Sequence, residues 1–441
     1  MTDYISRAET EIKFLSADKP NEFQDVQNFG TIQQYRDERN KTYWERISVG
    51  GSVTAEPVIH NGIIYIGTCD KNFYALTFNG RLKWKFPTNG TIQANALVYD
   101  NSVYFGSSDN NLYCVDAEKG ELKWKFESTN RVLGTPVEHN GRIYFGSADG
   151  NLYVIDASSG EKIWVFSTPY PLVRPLIKDD KIYVGFEGSC LYCLNLEGEL
   201  LWKFNTNGWI TPTASENNNI YFGSEDKNMY AINSDGQLEW KYKAKDRTLC
   251  PSVKDGKIYF GCGDNKVYCI DSEGNRVWDF NANGTVINIT IDGDVLYFGS
   301  YDNNLYALDR NSGEKLWRFK TNGFVTGNPA VHEDLIVFGS WDCNIYCITI
   351  EGQLIWKYQT SLSSQSAIEA PEQIETTKSE LVMKIETKQG EKERAYKTDD
   401  IDGGSYEMNF TSYASGMNKT YISSKKRGYI GESEKTEYKG N

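Results

Sequence analysis

Nine of the eleven tryptophans fall at Trp44, Trp84, Trp124, Trp164, Trp202, Trp240, Trp278, Trp317 and Trp356, spaced 38 to 40 residues apart. A fixed period of that length across most of a 441-residue chain marks a repeat architecture, in which each unit buries its apolar face only against its neighbours. The text between tryptophans also recurs. VYFGSSDNNLYCVDAEKGELKW runs from Val103 to Trp124, and LYFGSYDNNLYALD begins again at Leu296 and closes with GEKLW at Trp317. Eight such units follow one another. The several independent domains that length alone suggests are thereby replaced by one array.

Each unit reads as four short strands. In one copy these are Thr135–Glu138, Ile143–Gly146, Leu152–Ile155 and Ile163–Phe166. The turns between them are Asn140-Gly141, Asp149-Gly150 and Ser159-Gly160, residue types that tolerate positive φ. β-Branched and aromatic residues fill the strands. Four strands per period of about 40 residues is the pattern of propeller blades around a channel. The fold expected is all-β, an eight-bladed propeller of four-stranded antiparallel blades spanning 43–360. A 1–42 N-terminal arm precedes it, and a 361–441 linker and polar tail with short candidate strands follows.

The recurring motif Y-x-G-x-x-D-x-x-L-Y-x-x-(D)-x-x-x-G-x-x-x-W resembles the pyrroloquinoline-quinone-type (PQQ-like) repeat. That family includes the quinoprotein alcohol dehydrogenases and a lipoprotein that scaffolds outer-membrane barrel assembly. No Gly-His…Trp-Asp pattern of WD repeats recurs. The resemblance implies that the outer-strand tryptophans, Trp84, Trp124, Trp164, Trp202, Trp240, Trp278, Trp317 and Trp356, are structural and pack between neighbouring blades. Nine such strands exceed eight blades by one, so either Tyr43-Trp44 or Ile355-Trp356 supplies the outer strand of the closing blade.

The resemblance also raises a quinone cofactor, whose requirements the sequence does not meet. Family dehydrogenases place the quinone beside a disulfide of adjacent cysteines, and no Cys-Cys pair exists here. Cys190-Leu191-Tyr192-Cys193-Leu194 has haem-attachment spacing without the histidine. The connections are short, with no insertion to roof a cofactor. No cofactor, no metal and no catalytic residue is expected. His60, His139 and His332 are the only histidines, each three residues after a proline on equivalent turns of different blades, too far apart for one metal site. Cys114, Cys193, Cys269 and Cys347 alternate with Ala75, Val154, Ala231 and Ala307 after the third-strand tyrosine, the mark of a small buried position. Blade four reads Gly185-Phe186-Glu187-Gly188-Ser189-Cys190 where the others carry an aspartate turn. Lysines beside the outer tryptophans, such as Lys83 and Lys85, read as protection of exposed strand edges.

The inner strands should line the channel with Glu56, Asn95, Thr135, Arg174, Thr211, Cys250, Asn288 and Asn328, and with Trp209 close by. Of these, Glu56, Asn95, Arg174, Trp209, Asn288 and Asn328 are the candidate ligand-binding residues. The net charge of −13 does not suit nucleic acid, which needs clustered cations. No run approaches a membrane span. Nine dispersed cysteines and an N-terminus without a basic region followed by an apolar run favour a cytoplasmic location, with an exported chain lacking its leader as the alternative. The function expected is a non-enzymatic scaffold for protein–protein interactions. The partners are other proteins, and the chain's own tail is a second means of association, since Leu381, Met383 and Ile385 and then Tyr406, Met408 and Phe410 alternate with polar residues. A small-ligand sensor using the channel is the alternative reading, and a quinone-dependent dehydrogenase the third.

Overall fold

The computed structural model describes residues 51–185 and 187–360. They form eight separate four-stranded antiparallel sheets, each made from one continuous stretch of chain and ordered first strand to fourth. The first blade comprises β1 (Val58–His60), β2 (Ile63–Gly67), β3 (Asn72–Thr77) and β4 (Leu82–Pro87), and the eighth ends with β29 (Ala330–His332), β30 (Leu335–Gly339), β31 (Asn344–Thr349) and β32 (Leu354–Gln359). Ile355-Trp356 therefore lies in the outer strand of the closing blade, while Tyr43-Trp44 falls outside the described residues. The seam closes through loop contacts: Val53 N–H donates to Ser340 O at 3.0 Å, and the Thr360 hydroxyl reaches Gly51 O and, at 3.0 Å, Cys343 O.

The second and third strands of each blade are almost wholly buried, because both of their faces pack against neighbouring blades. This explains their near-continuous apolar runs. Phe105 and Tyr113 of the second blade stack at 5.5 Å, and Phe86 of the first blade packs edge-on to Tyr113 at 5.4 Å. The same trio repeats around the ring, as in Phe204, Phe222 and Tyr230. Cys114, Cys193, Cys269 and Cys347 are buried in this layer with Ala75, Val154, Ala231 and Ala307. All nine cysteines are free thiols.

The periodic tryptophan is a clamp. Trp84 Nε1 donates to Ala117 O of the next blade at 3.0 Å, and its ring lies on Gly120, whose φ is +71°. A Cβ at Gly120 would come within 2.5 Å of the indole. The ring face thus needs a glycine for two reasons, the left-handed backbone and the close approach. The pairing recurs from Trp124 over Gly160 to Trp317 over Gly352. Seven of the eight indoles donate to a carbonyl of the following blade. Trp124 Nε1 is buried without a partner. Only Trp84 is fully buried, at 9% exposure; the other seven are half-buried, because the clamp sits at the rim and leaves one edge of the indole in solvent.

Four of the aspartate turns, at Asp109, Asp149, Asp226 and Asp342, tie their blade to the connection that precedes it. Asp109 Oδ2 accepts the Tyr113 hydroxyl at 2.8 Å and the Asn89 N–H of the preceding connection at 2.9 Å. Burial opposes ionisation there, yet hydrogen bonds from Asn111, Asn89 and Tyr113 hold the carboxyl below its ordinary range. Blade four has no aspartate at this turn. Gly188 stands in its place and packs against the Tyr170 ring, while Ser189 takes a φ of +51°. The three histidines stay on separate turns: His60 is exposed, His139 lies 3.7 Å from Asp180, and His332 stacks on Phe78 at 5.1 Å.

Candidate functional site

The residue two positions before the first-strand partner of the second-strand tyrosine (Val337 in blade eight) holds an equivalent place in every blade, just ahead of the inner strand in seven blades and within it, as Cys250, in blade six. Its register is set by the second-strand tyrosine: Val58 pairs with Tyr65 and Leu176 with Tyr183, which places Glu56 and Arg174 at equivalent positions two residues earlier. By the same register Ala214 pairs with Tyr221, so Pro212 holds the fifth-blade position. Thr211 is displaced from the ring, a correction to the sequence reading. Its hydroxyl accepts the Gly223 N–H at 2.9 Å and its own N–H donates to Gly223 O at 3.0 Å, which binds it into its own blade. In blade five the proline itself, Pro212, stands at the ring position, whereas Pro57, Pro175 and Pro251 follow the ring residue, so a count from the prolines lands one residue early.

Four of the sequence candidates meet. Asn95 Nδ2 donates to Glu56 Oε2 at 2.6 Å, while the Glu56 N–H donates to Asn95 Oδ1 at 2.9 Å. Asn288 Nδ2 donates to Glu56 Oε1 at 3.3 Å. These two residues are 232 positions apart, on blades that are not neighbours, so the carboxylate spans the axis. Asn328 adds backbone and side-chain hydrogen bonds to Glu56. Burial pushes the Glu56 carboxyl above the ordinary carboxylate range; the Arg174 charge and the Asn328 hydrogen bonds lower it without overcoming that effect. Cys250 lies in the same field: burial, then the Glu56 charge, pushes its thiol up to about 12, which keeps it protonated and unreactive. Thr135 and Trp209 do not join this group. Trp209 is half-buried and its carbonyl accepts the Glu225 N–H at 2.9 Å, which puts it further along the connection.

One face carries the connections between blades and the turns between second and third strands. There Tyr301, Phe324 and Trp341 form a cluster with ring separations of 5.0, 5.2 and 6.3 Å, and Trp341 Nε1 donates to Thr326 Oγ1 at 3.0 Å. All three are half-buried. Trp341 N–H donates to Phe324 O just as Ser108 N–H donates to Thr91 O and Ala148 N–H to Arg131 O. By the same bond blade two holds Thr91 and Ser108 at these places, blade three Arg131 and Ala148, and blade six Arg247 and Gly263, while blade five pairs Trp209 with Glu225. Sequence reasoning missed the cluster, although Trp341 is one of only two tryptophans outside the period, and that exception was the available signal.

The family model for outer membrane protein assembly factor BamB matches residues 28–169, 79–206, 171–250, 188–286 and 244–418. The chain belongs to this PQQ-like repeat family. No curated protein matches the sequence. Among solved structures, BamB from Moraxella catarrhalis is 15% identical with a TM-score of 0.56, covering 67% of this chain and 93% of its own. The quinohemoprotein alcohol dehydrogenase ADHIIG from Pseudomonas putida HK5 is 15% identical with a TM-score of 0.58, covering 66% and 70%. The computationally designed Ika8 protein reaches a TM-score of 0.63 at 16% identity, covering 68% of this chain and 98% of its own. At such identities the likeness is one of fold.

The dehydrogenase neighbours raise the question of whether these residues fit a quinone and its divalent cation. They do not. Both Glu56 oxygens already accept amide N–H groups, and donors aimed at a carboxylate repel a cation placed beside it. Among the described residues no group of three or more His, Cys, Asp or Glu converges, so no second carboxylate completes a hard-cation site or stands by as a base.

Proposed function

We propose that this protein is a non-enzymatic propeller scaffold that binds other proteins through the face bearing Tyr301, Phe324 and Trp341. The observation that carries this reading is that cluster: three half-buried aromatic rings in contact on the inter-blade face, at positions where blades two and three hold threonine, serine, arginine and alanine and blade five a single tryptophan, Trp209. The fold does not require aromatic residues there. Tyrosine and tryptophan in a partly dry cluster are the side chains that most often anchor protein interfaces. Support also comes from the family model, whose description is an assembly factor, and from the poor match of the axial residues to a quinone site.

The test is purification of the full chain from its native source, cross-linking, and identification of the co-eluting proteins. The double variant Phe324→Ser, Trp341→Ser should lose the cross-linked partner and keep the wild-type circular dichroism. Retention of every partner by that variant would remove this face from the reading. Stoichiometric binding of pyrroloquinoline quinone with Ca²⁺, accompanied by dye-linked alcohol oxidation, would replace the scaffold with an enzyme.

A further inference from the structure

The fourth strand of every blade ends its sheet. Among the described residues its outer edge therefore presents backbone N–H and C=O groups that no further strand covers. Seven of the eight outer strands carry a charge directly after the clamp tryptophan: Lys85, Lys125, Lys203, Lys241, Asp279, Arg318 and Lys357. The third blade is the exception. Its outer strand β12 (Lys162–Ser167) has Val165 at that place and Ile163 before the tryptophan, exposed at 42% and 44%. Ile163, Trp164, Val165 and Phe166 make the one uncharged inner stretch among the eight outer strands.

The backbone shows which residue a pairing axis would select. Thr168 N–H donates inward to Gly150 O at 2.8 Å. Along an antiparallel strand, residues that exchange hydrogen bonds with one neighbour alternate with residues that turn theirs away from it. Phe166 and Trp164, in step with Thr168, thus bond toward their partners Leu152 and Val154, and Val165 directs its N–H and C=O to the open edge. Two copies of β12 related by a two-fold axis run antiparallel. With the axis at Val165, each copy's Val165 faces the other in a pair that exchanges both backbone hydrogen bonds.

The residue at this place then meets its own copy, so its charge decides the outcome. Lysine, arginine or aspartate sets like charges directly opposite one another and opposes pairing, whereas valine sets two β-branched side chains in contact. Trp164 falls opposite Phe166 of the second copy and Lys162 opposite Thr168, so the register brings no like charges together. Leu200 and Leu201, both exposed, extend the apolar surface, since they follow Gly198, on which the Trp164 ring lies. An edge of six residues needs that extension to approach the roughly 800 Å² per partner of a standard interface, which makes the association reversible. We propose that β12 is a self-association edge, through which two copies of this chain form a two-fold dimer that joins their third blades into one sheet.

This edge is independent of the aromatic face and is tested separately. Light scattering after size exclusion of the full chain, from about 1 µM to about 0.1 mM, covers the range in which small interfaces dissociate. The mass should rise from that of one chain toward that of two. Val165→Lys introduces the residue that five other blades carry at this place, so the fold tolerates it, and this variant should keep the wild-type circular dichroism and stay monomeric. Val165→Cys brings two Cα atoms to about 5.5 Å across the axis, within disulfide range, and should give a covalent dimer on mild oxidation. Lys125→Cys, at the same place on the second blade, should not, and the wild type, with eight of its nine cysteines buried, is the blank. A single-chain mass at every concentration or equal cross-linking at 165 and 125 would overturn the proposal. Association that survives in Val165→Lys would move it to the tail or the aromatic face, and would overturn the proposal as well.

Discussion

The indole nitrogen of Trp356 donates to the carbonyl oxygen of Phe78 across 2.7 Å and 278 positions of sequence. The last outer strand is thereby fastened to the first blade by the same bond that six other outer tryptophans make to the next blade. The Trp356 ring lies on Gly80, at a φ of +76°. Ring closure consequently needs no strand exchange among the described residues, and each sheet keeps two edges, its first strand and its fourth.

Trp356→Ala should destabilise the ring by about 2–4 kcal/mol, toward the lower part of the range for large aromatic truncations because the indole is only half-buried. Trp356→Phe keeps a ring on Gly80 and removes the donor, for a cost of about 1 kcal/mol. The same change at Trp124 should cost less, since Trp124 Nε1 has no partner to lose. Urea denaturation of the three variants gives the comparison, and equal losses for Trp124→Phe and Trp356→Phe would contradict the assigned hydrogen bonding.

Gly120 and Gly141 share nearly the same backbone, with φ of +71° and +72°, and differ in what a side chain would meet. At Gly120 a Cβ runs into the Trp84 indole, whereas at Gly141 nothing lies within 4 Å. Alanine at either position carries the left-handed backbone cost of about 1 kcal/mol. Gly120→Ala should add about 1–3 kcal/mol for displacing the ring. The difference between the two melting curves isolates the clamp from the turn.

How much of this was legible in the sequence follows from what repetition can report. The clamp was, because Trp84 and Gly120 recur in every unit and their spacing states which blade each one touches. The number of blades and the burial of Cys114 and its equivalents were legible for the same reason. The Glu56 cluster was legible only as a set of positions, since a period places Glu56 and Asn288 on the same ring but does not say that the carboxylate crosses it. Thr211 was misplaced because the blade-five proline, Pro212, stands at the ring position instead of following it, and a proline-based alignment absorbs that shift silently. The aromatic face was missed because a search for repeats sets aside residues such as Trp341 that break them.

Glu56 gives the protein a pH dependence of definite sign. Its carboxyl lies above the ordinary 4.5 in the folded ring, so between 4.5 and the folded value the folded state holds a proton that the unfolded chain has released. Stability from this group is fully present below 4.5 and falls as pH rises through the folded value. The turn aspartates Asp109, Asp149 and Asp226, held below their ordinary range, act in the opposite sense and lose stability on acidification. They are common to wild type and Glu56→Gln and cancel in the comparison. The stability of wild type relative to Glu56→Gln should decline from pH 4.5 upward, as read by denaturation at a series of pH values. A difference that is flat or that rises with pH would mean that the carboxyl is not raised.

The contacts that finish the ring end at Thr360. Its N–H donates to Cys343 O at 2.9 Å, and its hydroxyl links Cys343 O to Gly51 O across the seam. A chain ending after Thr360 retains every one of these bonds together with β32 and the Trp356 clamp. It should melt at the same temperature as the full chain. A chain ending after Thr349 removes the whole outer strand, exposes β31 as an edge and deletes the last clamp, so it should be unfolded or melt far lower. Calorimetry separates the two cases, and a drop of several degrees on removal of 361–441 alone would make that segment part of the folded unit. Light scattering on the same pair of proteins tests association. The alternation at Leu381, Met383 and Ile385 suits a strand that adds to an exposed sheet edge, and the outer strands supply such edges. The chain ending after Thr360 should therefore keep its fold and lose association that runs through the tail, while unchanged association would assign all binding to the ring.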